Sequence, residues 1–134
     1  MKKTAAEWVR KAEADLVMAR RGRGGKVVLH DAVCFHCQQC AEKYLKGLLV
    51  ELGLAVPKTH DLVRLLTVLL LHFPSLRPLR RGLQFLTNFA VVTRYPGGKA
   101  EKRQAVAALR WAERVRTAVR TLLGIRPPRR KKGR

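Results

Sequence analysis

The chain has 134 residues, 47% of them hydrophobic, with 29 Lys and Arg against 9 Asp and Glu for a net charge of +20. That length supports one domain with a single core. The charge excess is too large for internal ion pairs and favours polyanions (RNA, DNA, an acidic protein or a nucleotide phosphate), unless it reflects only an arginine-rich coding background.

The first helix is predicted to begin near Ala5, because Thr4-Ala5-Ala6-Glu7 reads as a capping box. Trp8, Ala12, Leu16 and Ala19 mark its buried stripe, and Gly22, Gly24 and Gly25 end it in a basic loop. The opening MKKTAAEWVRKAEADL is charged throughout and lacks the apolar stretch of a signal peptide. A cytoplasmic location is therefore expected.

The second helix starts after Asp31 and runs to Leu52, with Gly53 as its C-terminal cap and Pro57 preventing continuation. At about 100° per residue, Val33, Cys37, Cys40, Ala41, Tyr44, Leu45 and Leu48 share one side and are expected in the core. Gln39, Glu42, Lys43 and Lys46 share the other and are expected to be exposed, as a groove or a dimer contact. Cys34, Cys37 and Cys40, with His30 and His36 nearby, invite a metal hypothesis. Inside a helix, however, successive sulfurs turn by about 60° and rise about 4.5 Å, so they converge poorly on one ion. Buried reduced thiols and no metal are the expectation, and an odd count argues against a disulfide framework.

Thr59 is expected to cap a short third helix with Leu62, Leu65, Leu66, Leu69 and Leu70 inward and a stop at Pro74. The run from Leu65 to Phe73 is the most apolar of the chain, yet far below the roughly 20 residues that span a bilayer. No membrane contact is expected. Ser75 opens a fourth helix with Leu79, Leu83, Leu86 and Phe89 inward, ending at Tyr95-Pro96-Gly97-Gly98. The fifth, about Ala100 to Leu123, buries Ala108, Trp111, Ala112, Val115, Val119 and Leu122. Its opposite side carries Arg103, Arg110 and Arg114, ordinarily a solvated face. After Gly124, IRPPRRKKGR holds two prolines and six basic residues, and is expected to be disordered until it meets an anion. The organisation is thus an all-α, up-and-down bundle of about five helices over residues 1–124 with a basic tail at 125–134.

Trp8 and Asp15 in the first helix, QQCAEKYLKGLL at 38–49, Thr59-His60-Asp61-Leu62, and Arg94-Tyr95-Pro96 together resemble the HEPN domain family. The resemblance covers nearly the whole chain. It implies a small helical bundle that commonly forms a homodimer and is often encoded beside a minimal nucleotidyltransferase, in toxin–antitoxin or substrate-binding pairs. No cofactor is implied. Several branches of the family are metal-independent ribonucleases that carry an Arg and, four to six residues on, a His late in the bundle. Here YPGGKAEKRQ follows Arg94 and no histidine follows His72, so that pair is absent. Arg23 and His30 satisfy the bare spacing but lie in the glycine-rich connection, where the match reads as chance.

The resemblance and the charge point to a nucleotide- or RNA-binding protein, the non-catalytic partner of a nucleotidyltransferase. The alternative of a ribonuclease toxin needs a base for the 2′-hydroxyl and a cation for the developing phosphorane charge. His60 could supply the base and Arg94 or Lys58 the cation, beside a helix start that favours an anion. Against this stands the plainer reading that His60 and Asp61 only cap the third helix. Tyr95 and Arg94 could stack a base and meet a phosphate, or close the bundle end with Arg94 paired to Glu42. Lys43 and Lys46 are phosphate ligands in a groove and ordinary charges outside one. A third reading is a purely structural dimerisation module whose seam is the polar face of the second helix.

Overall fold

A computed structural model describes residues 1–27, 29–91 and 96–127. Among these, five α-helices form the architecture and no strand occurs: α1 (Lys3–Gly24), α2 (His30–Glu51), α3 (Leu62–Leu70), α4 (Arg80–Thr87) and α5 (Lys102–Leu122). The all-α bundle is as expected. Two 3-10 segments, Pro74–Leu79 and Asn88–Ala90, flank α4. The expected fourth helix from Ser75 is therefore 3-10 for its first turns. Pro78 lies inside that stretch and has no N–H for an α-helical bond to residue 74.

α2 is the axis of the bundle. α1 runs antiparallel to it, held where the Lys2 amide donates to Glu51 Oε1 (2.7 Å). α5 runs alongside α2 in the same direction, since Asp31 Oδ1 accepts from the Ala100 amide (2.6 Å) at one end and Arg120 donates to the Tyr44 hydroxyl (3.4 Å) further along. α3 and α4 form a short antiparallel pair on the remaining side, joined where the Leu62 amide donates to Thr87 Oγ1.

The core is aliphatic: Leu16, Leu45, Leu48, Leu49, Leu65, Leu66, Leu69, Leu83 and Leu86 are all essentially fully buried, with Tyr44 among them. Burying such side chains contributes about 1.5–3 kcal/mol each. All the residues expected on the core side of α2 are buried, including Cys37 and Cys40, and Cys34 joins them. Burial raises the Cys34 thiol to about 12 and pushes Cys37 and Cys40 higher still. Trp8 is only partly buried, whereas Ala5, Ala12, Leu16 and Ala19 form the α1 stripe.

Helix ends differ from expectation in detail. α1 begins at Lys3 with no side-chain cap, so Thr4 is already inside the helix and the expected capping box does not form. A capping box does form at α5, between Glu101 and Gln104. Asp61, rather than Thr59, caps α3: its Oδ1 accepts from the Val63 and Arg64 amides (3.0 and 3.4 Å). Gly53 ends α2 as expected, with φ +72° and the Leu54 amide donating to Leu49 O, the left-handed arrangement glycine accepts without strain. Of the basic tail, residues 128–134 lie outside the described residues.

A candidate ligand site along the polar seam of the central helix

The polar row of α2 is not the exposed face expected from the sequence. Glu42 and Lys46 are 4% and 8% exposed, Gln38 is fully buried, and Gln39 and Lys43 are half-buried. The reason is position: α2 is covered by α1 on one side and by the segment leading into α3 on another, so its polar residues meet partners from both.

Glu42 is the hub. Its Oε1 accepts from Gln38 Nε2 (3.1 Å) and His60 Nδ1 (2.8 Å), and its Oε2 accepts from Lys46 Nζ (3.0 Å). Burial pushes the Glu42 carboxyl up, but the hydrogen bonds from His60, Gln38 and Lys46 and the charge of Lys46 outweigh it and hold the group below its ordinary range. An ionised Glu42 can only accept, so the bonded Nδ1 of His60 carries the proton and Nε2 is left with its lone pair when the ring is neutral. The His60 side chain is 58% exposed. Gln38 also donates to the His60 carbonyl (3.3 Å) and accepts from Gln39 Nε2 (2.7 Å), fastening the loop to the helix.

One turn towards the start of α2 lies a second cluster. Asp15 of α1 accepts from His36 Nδ1 (2.8 Å) and from Lys43 Nζ (2.5 Å). Lys43 and Lys46 are therefore each matched by a carboxylate. Neither is a free cation waiting for phosphate.

Between α1 and α2 the seam opens into a cleft of about 470 Å³ lined by Thr4, Glu7, Trp8, Lys11, Glu42 and Lys43. Gly47 lets α1 and α2 approach closely beside it: a Cβ there would lie 3.1 Å from the Trp8 Cβ. The Lys46 ammonium stands 5.9 Å from the Trp8 ring centre. Lys11 is exposed and makes no ion pair among the described residues. The cleft thus offers an indole, one unpaired ammonium and two carboxylates.

Of the residues singled out from the sequence, Gln39, Glu42, Lys43, Lys46 and His60 come together in this seam. Asp61 is occupied as a cap, and Lys58 is exposed in the same connecting loop without an ion pair among the described residues. Arg94 and Tyr95 lie outside the described residues. Sequence reasoning missed the roles of Gln38, His36, Trp8 and Lys11. One signal was legible, an aspartate at position 15 inside the apolar stripe of α1, which calls for a buried partner.

The fold and the seam define a class, an all-α bundle whose central helix carries a buried row of hydrogen-bonded polar side chains. The HEPN domain model matches residues 5–122, and the chain belongs to that family. Two solved structures are similar. One is TT1696 from Thermus thermophilus, 26% identical with a TM-score of 0.78, covering 90% of this chain and 98% of its own. The second is ST0689, described as an archaeal HEPN homologue, 30% identical with a TM-score of 0.71, covering 92% of this chain and 99% of its own. No curated protein matches. None of the described helices is long and apolar enough to cross a membrane.

Proposed function

We propose that this HEPN-domain protein binds nucleotide or RNA in the α1–α2 cleft, as the homodimeric, non-catalytic substrate-binding partner of a minimal nucleotidyltransferase. The observation that carries the reading is that a partly buried indole, Trp8, the unpaired Lys11 ammonium and the carboxylates of Glu7 and Glu42 line one cleft. A base stacks on an aromatic plane, a phosphate takes the ammonium, and base or ribose donors meet carboxylates. Family membership and the net charge support it; the partner and the dimer follow from the family resemblance. The test is calorimetric titration with nucleoside mono- and triphosphates, comparing the parent with Trp8→Ala and Lys11→Gln. Binding lost in both variants upholds the cleft, whereas no binding by the parent, or binding indifferent to both changes, refutes it. Co-expression with the nucleotidyltransferase followed by size-exclusion chromatography tests the partnership and the dimer.

One observation favours a ribonuclease reading as second. Glu42 holds Nδ1 of His60 and leaves Nε2 at the surface, the arrangement that makes a histidine a general base. RNA cleavage in EDTA that disappears in His60→Ala while binding persists would establish it in place of the non-catalytic reading.

A further inference from the structure

Two arginines of the α5 stripe, Arg110 and Arg114, border a groove. Between the 3-10 segment Pro74–Leu79 and α5 runs a groove of about 490 Å³, with Pro78, Leu79 and Ala118 as its apolar lining and Arg110, Arg114, Ser75 and Thr117 as its polar one. Arg110 is exposed and has no ion-pair partner among the described residues. Arg114 is held without being neutralised: its guanidinium carbon lies 4.4 Å from the Trp111 ring centre. Trp111 is itself seated over Gly82, where any Cβ would fall 2.0 Å from the indole. A guanidinium stacked this way keeps its N–H edge free, and its loss of side-chain freedom has already occurred on folding.

Arg77, within the 3-10 segment, and Arg80 and Arg81, which follow it, are exposed without an ion pair among the described residues, but they do not line the groove. Arg116 and Arg120 are committed to Glu13, and Arg103 pairs with Glu101. Glu113, an acid on the groove wall, is engaged by Arg20 of α1 (3.2 Å). The groove itself is thus lined by one positive turn of helix, residues 110 and 114 being four apart and therefore neighbours on one face, above an apolar floor.

We propose that this groove is a track for single-stranded RNA, with Arg110 and Arg114 on successive phosphates and the apolar floor under the sugars and bases. A single strand offers both charged and apolar surface to a shallow groove, whereas a duplex offers chiefly phosphate. The inference deepens the RNA-binding reading, yet the groove is separate from the α1–α2 cleft.

The test is fluorescence anisotropy of the full chain with a labelled oligouridine across a salt series. Arg110→Gln/Arg114→Gln is compared with Arg10→Gln/Arg21→Gln, which removes two exposed charges elsewhere. Losing two phosphate contacts makes the log–log salt slope shallower by about 1.4. From equal affinity at about 1 M salt, that slope leaves the groove variant about 25-fold weaker at about 0.1 M. Arg114→Lys is expected to keep the slope and lose affinity, because it keeps the charge and gives up the stacked fork. Equal losses in both double variants, no loss in the groove variant, or equal competition by polyglutamate overturns the proposal. Strand binding that depends on the groove, in a protein that binds no mononucleotide, supports the track and refutes the cleft reading instead.

Discussion

Glu42→Gln is the perturbation that probes the polar seam most directly. The amide is isosteric, but one of its two ends must be an NH2. With the carbonyl at the Oε1 position, Gln38 and His60 keep an acceptor while the NH2 faces the Lys46 ammonium at 3.0 Å. With the amide reversed, the conflict moves to Gln38 and His60. In the first arrangement a lysine whose side chain is only 10% exposed loses its counter-charge. Breaking a buried pair this way costs about 3–5 kcal/mol. Lys46 can extend its ammonium towards water along the Trp8 ring, which lowers the expected cost to about 3 kcal/mol. Removing both charges in Glu42→Gln/Lys46→Met eliminates the orphaned ammonium, and the double variant should lie within about 1 kcal/mol of the parent. Urea unfolding near neutral pH, followed by far-UV circular dichroism, measures both. A single variant that costs under about 1 kcal/mol, or a double variant no more stable than the single, would refute the ion pair as the source of the effect.

Further expectations follow from other features. Glu42 and Glu13 are both held below the ordinary carboxyl value of 4.5, the latter because bonds from Arg116 and Tyr44 and the charges of Arg116 and Arg120 overcome its burial. Both are ionised in the fold and protonate more readily once unfolded, so their stabilisation is complete above pH 4.5 and is lost as pH falls through their folded values. The urea midpoint should fall in acid, and less steeply in Glu42→Gln. Gly82→Ala should destabilise by a net of about 1–2 kcal/mol, the crowding of Trp111 exceeding a helix-propensity gain of about 1 kcal/mol; a stabilised variant would contradict the close approach. Cys34, Cys37 and Cys40 are buried with raised thiol values, so a thiol-specific chromophore should label none in the native protein and all three in denaturant. Rapid native labelling would contradict their burial.

Much of the fold was legible because the long helices are strongly periodic. Tyr44, Leu45 and Leu48 had to share a face, and Gly53 and Pro57 had to end α2. What could not be read was who would sit opposite the polar face. A helical wheel treats water as the neighbour of Glu42 and Lys46, whereas the tertiary fold supplies His60, 18 positions on, to Glu42. Asp15 reaches Lys43 across 28 positions. The Thr4–Glu7 pattern misled because a capping box and an ordinary first helical turn share that spacing, and the backbone of α1 enters the helix earlier. Pro78 was visible, yet its effect was local, turning the expected start of the fourth helix into 3-10 geometry.

The clamp between α1 and α5 has a kinetic consequence. Glu13 receives three bonds from the Arg116 fork and one from Arg120, residues 103 and 107 positions away. As the polypeptide emerges during synthesis, α1 and α2 can pair early because their contacts are local. The seam they present to α5 stays open, with Glu13 and Tyr44 lacking their arginine partners, until α5 has appeared. Closure must therefore be a late event, slow relative to hairpin formation and exposed to misassociation while it waits.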